Sequence, residues 1–134
     1  MAVRCTSVEM FAPIAVKQFA ALNAELTART RFRLFESYRS PLLQAIAVHQ
    51  GRSKAAPFLS AHQLGLAADF VPYGLTGWIW PDAADPEWNT LMKLARKHGL
   101  LNSIKWDRPH VEHPAYQQVL PHLKRASKSA EGGD

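Results

Sequence analysis

The chain has 134 residues and a mass of 15.0 kDa, enough for one domain with a real hydrophobic core and too little for a second. It is 47% hydrophobic and 20% charged, with a mean hydropathy of -0.20, which excludes a disordered chain, and no apolar run approaches the ~20 residues of a membrane span. One cysteine excludes a disulfide framework and a multi-cysteine zinc module, while +5 of net charge and a pI near 9.7 favour polyanionic partners such as nucleic acid, anionic membrane or acidic cell-wall polymer.

Near the N-terminus, Phe11 to Val16 is a poor export signal: Pro13 interrupts it and Lys17 and Gln18 close it. The chain is therefore expected to be made in a host cytoplasm without a signal peptide. Phe11, Ala15, Phe19, Leu22 and Leu26 recur at helical spacing, which predicts an amphipathic helix from about Pro13 to Leu26. Phe32 to Tyr38 has strand character, with Phe32, Leu34, Glu36 and Tyr38 on one face. Ser40-Pro41 reads as a cap and first helical residue, Leu43, Ile46 and Ala47 as that helix's stripe, and Gly51 as its stop. Residues 52–61 are expected to be loop.

A short strand is predicted from Leu66 to Tyr73, followed by a Gly, Pro and Trp-rich loop over 74–84. Asp85-Pro86 opens a further helix carrying Trp88, Leu91, Met92 and Ala95, with Arg96, Lys97 and His98 in its last turn and Gly99 ending it. Ser103 to Trp106 and His110 to His113 are candidate strands, and Pro114 to about Leu123 a last short helix. The predicted organisation is a single domain over 1–123 and a flexible basic tail over 124–134. Helices mixed with short strands, with no regular alternation of strand and helix, predict an α+β fold with a small antiparallel sheet.

Two segments concentrate chemistry: Ser60-Ala61-His62-Gln63-Leu64-Gly65-Leu66-Ala67-Ala68-Asp69 and Trp106-Asp107-Arg108-Pro109-His110-Val111-Glu112-His113. Strand alternation sets Asp69 on the face opposite Leu66, Ala68 and Phe70, beside Ala67, which is too small to cover it. Gly65 permits a sharp backbone approach, so His62 can fold back toward Asp69. His110 and Glu112 share one face of their strand, and Val111 and His113 the other. His62, Asp69 and His110 together supply two nitrogens and one oxygen, the three protein ligands of a catalytic zinc site with one open position. Asp107, three residues before His110, stands where a general base for metal-assisted hydrolysis belongs.

The pattern S-x-H-x-x-G-x-A-x-D followed by D-x-P-H-x-E resembles the M15 family of zinc peptidases: D-Ala-D-Ala carboxypeptidases and dipeptidases, and phage L-alanyl-D-glutamate endolysins. Tyr38-Arg39-Ser40 with Gln44 resembles the family's Y-R-S-x-x-x-Q element, and the resemblance spans roughly residues 10–114. It implies Zn2+ held by His62, Asp69 and His110, Asp107 as catalytic acid/base, Arg39 on the substrate or the developing oxyanion, and Ser60 lining the site. Gln44 and Trp80 are further candidates for contacting substrate. The implied fold is a small antiparallel sheet flanked by helices. One departure is Leu101 to Trp106, which lacks the W-G-G-x-W stretch common before the Asp in such endolysins.

The implied activity is zinc-dependent hydrolysis of a peptidoglycan stem peptide, with the L-Ala-D-Glu endopeptidase reading ahead of a D-Ala-D-Ala carboxypeptidase or dipeptidase, and of a non-catalytic zinc-stabilised cell-wall binding module. The expected partners are stem peptides, with no nucleic acid, no stable membrane insertion and a monomeric state, and the site of action is the cell wall, reached by holin release or on a virion. Taken alone, Glu112 reads equally as an orienting partner of His110 and as a solvated glutamate. His113 is the rival ligand that alternation turns away from the metal, and His98 reads as a helix C-terminal cation.

Overall fold

The computed structural model describes residues 4–38, 49–51 and 60–132. Its elements are a 3-10 turn (Val8–Met10), α1 (Val16–Arg29), β1 (Phe32–Glu36), β2 (Ala67–Gly74), β3 (Gly77–Trp78), α2 (Glu87–Lys97), β4 (His110–Glu112) and α3 (Ala115–Gly132). The helix expected over Ser40 to Gly51 falls mostly outside the described residues.

β2 is the centre of an antiparallel sheet. β1 pairs along it from Phe32↔Pro72 to Glu36↔Asp69, β4 pairs with its first half through Ala67↔Glu112, Ala68↔Val111 and Asp69↔His110, and β3 folds back on its end at Tyr73↔Trp78. The α+β expectation is met, with the helices packed against a small antiparallel sheet.

The stripe of α1 drives this assembly. Phe19, Leu22 and Leu26 are fully buried, and Phe11 and Ala15, in the turn before the helix, extend the same apolar line. Phe11 and Phe19 stack with ring centroids 4.1 Å apart. Against them lie Phe32 and Leu34 of β1, Ala68 and Phe70 of β2, Val111 of β4, and Trp88, Leu91 and Ala95 of α2. Alternation then forces Asp69 onto the opposite face of β2, as expected, because its neighbours Ala68 and Phe70 occupy the core side.

α2 begins where Asp85 accepts the amide of Glu87 at 2.9 Å, and it ends in a Schellman arrangement. There Gly99, at φ 74, donates to the Arg96 carbonyl and Leu100 donates to Ala95. His98 sits at that end with Nε2 2.8 Å from Glu25.

Three local expectations are corrected. Ser103 to Trp106 is not a strand. The Asn102 side chain donates to the carbonyls of Arg108 (2.7 Å) and His110 (2.8 Å), closing 102–110 into a loop, and only Leu101 bridges to Glu112. Within the stretch read as loop, Gly77–Trp78 forms a two-residue strand, because the turn after Gly74 returns the chain onto Tyr73. The last helix does not stop near Leu123. Helical backbone continues to Gly132 through the stretch read as a tail, and Pro121 is accommodated inside it. No helix among the described residues is long and apolar enough to cross a membrane.

Candidate metal centre

His62 is held by a single turn of helical hydrogen bonds. Gln63 donates to the Ser60 carbonyl and Leu64 to Ala61. The turn ends as a Schellman motif, with Gly65 donating to His62 and Leu66 back to Ala61. That closure needs a left-handed residue, and Gly65 has φ 69. Glycine is required there twice over, since a Cβ on Gly65 would stand 2.6 Å from the backbone nitrogen of Ala12, which donates to the Gly65 carbonyl. Ser60 is buried, and its Oγ accepts the His62 amide at 3.2 Å.

Asp69 and His110 meet because their strands pair there, and cross-strand partners share a face. The His62 Nε2 lies 3.3 Å from the Asp69 Oδ1, and the His110 Nδ1 lies 3.7 Å from the same oxygen. Across the group, one ligand atom each from His62, Asp69 and His110 lies within 4.8 Å of the others. Ligands about 2.0–2.1 Å from a tetrahedral ion stand roughly 3.3–3.5 Å apart, so the two shorter separations suit zinc with little adjustment.

The outward nitrogens fix which atoms face inward. The His62 Nδ1 donates to the Ser37 carbonyl at 2.9 Å, leaving the Nε2 lone pair toward Asp69. The His110 Nε2 donates to the Glu112 carboxylate at 2.9 Å, leaving Nδ1 toward Asp69. Glu112 is buried and takes a second hydrogen bond from Gln117 of α3 at 2.7 Å. Two imidazole lone pairs and a carboxylate oxygen thus converge, an arrangement that requires a cation among them, so the residues fit a metal ion.

Without an ion, a proton takes that role. Burial alone would lower the pKa of His110, but hydrogen bonds to Asp69 and Glu112 outweigh it and push the imidazole up to about 10. Burial would raise Asp69, yet attraction to His62 and hydrogen bonds from both histidines hold it far below the usual carboxylate range. Glu112 is lowered for a related reason: its own burial is overcome by the bond from His110.

Of the other residues singled out from sequence, Asp107 lies at the rim. Its side chain is 38% exposed, and its Oδ2 is 4.0 Å from the His110 Nδ1. It is not in the ligand group. His113 is also outside that group, because its Nδ1 accepts the Ala115 amide and starts α3. Trp80 is largely exposed and packs edge-on against Phe35, 5.1 Å between centroids, beside Trp78. Arg39 and Gln44 lie outside the described residues. The open question about Glu112 resolves toward an orienting partner. Gln117 and the Ser37 carbonyl carried no sequence signal, since a supporting amide or backbone oxygen is specified only by the fold.

No protein-family model matches the chain, and no curated protein matches it by sequence. Solved structures do. The L-Ala D-Glu endopeptidase ChiX of Serratia marcescens superposes with a TM-score of 0.58 at 21% identity, over 88% of this chain and 94% of that one. The LD-carboxypeptidase LdcB superposes with a TM-score of 0.58 at 17% identity, over 84% of this chain but only 64% of LdcB. A vancomycin-resistance D,D-pentapeptidase, VanY, in complex with Zn(II), gives 0.52 at 16% identity, over 83% of this chain and 78% of its own. At such identities the likeness is one of fold, and at that level the resemblance read from the motifs is met.

Proposed function

We propose that the chain is a zinc-dependent peptidase of peptidoglycan stem peptides, and within that class an endopeptidase cutting between L-Ala and D-Glu. The observation that carries the reading is the convergence of the His62 Nε2, the Asp69 Oδ1 and the His110 Nδ1, with Asp107 at the open rim. The fold shared with an L-Ala D-Glu endopeptidase over 94% of that chain supports the choice of bond.

A zinc ion held by His62, Asp69 and His110 would polarise the scissile carbonyl and lower the pKa of its water to about 7. Asp107 takes the proton from the attacking water and returns it to the leaving amine. Its partial exposure and its distance from His110 suit a group that reaches substrate without ligating the metal. Glu112, anchored by Gln117, keeps the His110 Nδ1 deprotonated side turned inward. The Ser37 carbonyl does the same for His62. Arg39 is assigned to the oxyanion or a substrate carboxylate, and Gln44 and Ser60 to the substrate side, on the motif resemblance; Trp80 is assigned there from its place in the Gly and Pro-rich loop. A net charge of +5 suits the acidic stem peptide and wall.

Mass spectrometry of purified muropeptides after digestion tests this reading. Free D-Glu amino termini on the released peptides are expected. Release of a terminal D-Ala instead would move the chain to the carboxypeptidase reading, and intact muropeptides would leave a binding module.

A further inference from the structure

A concave feature lies beside the loop that carries Asp107 and leads into β4. It is a cavity of about 320 Å³ between α2 and residues 102–108. Arg96, Lys105 and Arg108 line it, and no carboxylate does so among the described residues. Arg108 is already held, its guanidinium donating to the Ala83 carbonyl at 2.6 Å and to Asn89 at 3.3 Å, so that cation is fixed in place. Arg96 and Lys105 are exposed and enter no ion pair among the described residues. Ser103 adds a hydroxyl to the wall, while Met92 and Ile104 give it an apolar side.

Three like charges around one hollow repel each other, and an anion seated among them relieves that repulsion. The donor set is a guanidinium fork, an ammonium and a hydroxyl, and it matches the several acceptor oxygens of a phosphate group. We propose that this cavity is a phosphate-binding site, separate from the metal centre. Asn102 joins the two physically, because the residue lining the cavity also ties the carbonyls of Arg108 and His110.

The test is titration of the full chain with sn-glycerol 3-phosphate and with inorganic phosphate, followed by amide chemical shifts and calorimetry. Saturable binding with shifts centred on residues 96–108 is expected. The paired change Arg96→Gln with Lys105→Gln should weaken it at least about tenfold, as befits loss of two charge-assisted contacts. A charge-matched control, Lys17→Gln with Lys124→Gln, should leave the affinity within about twofold, since both lysines are exposed elsewhere. Tighter binding of the glycerol ester than of inorganic phosphate identifies an organic phosphate meeting Met92 and Ile104, whereas equal binding identifies free phosphate. The proposal is overturned by absence of saturation, by equal weakening in the control, or by shifts confined to the surroundings of His62, Asp69 and His110.

Discussion

Replacing Gly65 by alanine separates two costs that are usually confounded. The left-handed φ of 69 costs an L-residue about 1–2 kcal/mol. The new Cβ would also stand 2.6 Å from the nitrogen of Ala12 and 3.0 Å from the Met10 carbonyl oxygen, both backbone atoms that cannot swing aside. Relieving that overlap costs about 1–3 kcal/mol and stretches the bond from Ala12 to the Gly65 carbonyl. The total is about 2–5 kcal/mol, or a fall in Tm of roughly 7–18 °C for a domain of this size. Gly99→Ala is the comparison. Gly99 has nearly the same φ, 74, but its Cβ would meet only the Gln18 side-chain amide at 2.9 Å, which can move, so about 1–2 kcal/mol is expected. Thermal unfolding of both variants beside the wild type is the assay, with zinc affinity as a second readout because the Gly65 turn holds His62. If Gly65→Ala melts within 2 °C of Gly99→Ala, the close approach of the 10–12 segment does not constrain the site.

Asp107→Asn should retain about one zinc per chain by elemental analysis while hydrolysis falls ~10²–10⁴-fold, since the amide cannot accept the proton. Loss of metal would instead make Asp107 a ligand. Glu112→Gln should weaken zinc binding about 10–100-fold in competition with a chelator, because the acceptor that orients His110 loses its charge. The pH dependence follows from His110. Its metal-free pKa, pushed up to about 10, lies above an unfolded value near 6.5, so the protonated imidazole stabilises the metal-free protein fully below pH ~6.5 and that stabilisation is lost as pH rises through 10. Metal must displace that proton, so the rise in Tm on adding zinc should be larger at pH 8.5 than at pH 6.5, and an equal rise would contradict the protonated state.

Much of the fold is legible in periodicity. Phe11, Ala15, Phe19, Leu22 and Leu26 are apolar at helical spacing because they face one core, and the Asp85-Pro86 start and Gly99 stop of α2 follow from local capping chemistry. Asp69 and His110 of the candidate metal group are legible because alternation in β2 and β4 dictates which side chains can meet, and His62 through the turn that Gly65 permits. What escaped is set by tertiary contacts. Ser103 to Trp106 looks like a strand until Asn102 claims the carbonyls that would bound its loop. Gly77–Trp78 is too short to show a period, and its pairing comes from the preceding turn. Residues past Leu123 are polar, which suggests a tail, yet Lys124, Arg125 and Ala126 are good helix formers and continue α3. Glu112 could not be decided from alternation alone, because its partner Gln117 lies on the next element.

The central claim is that His62, Asp69 and His110 hold the ion on which hydrolysis depends. Its most direct measurement is muropeptide hydrolysis by protein stripped with a chelator and then titrated with zinc. No cleavage is expected without metal, with full recovery at about one zinc per chain and no recovery in His62→Ala or His110→Ala. Undiminished cleavage by the metal-free wild type, or full recovery by either histidine variant, would contradict it.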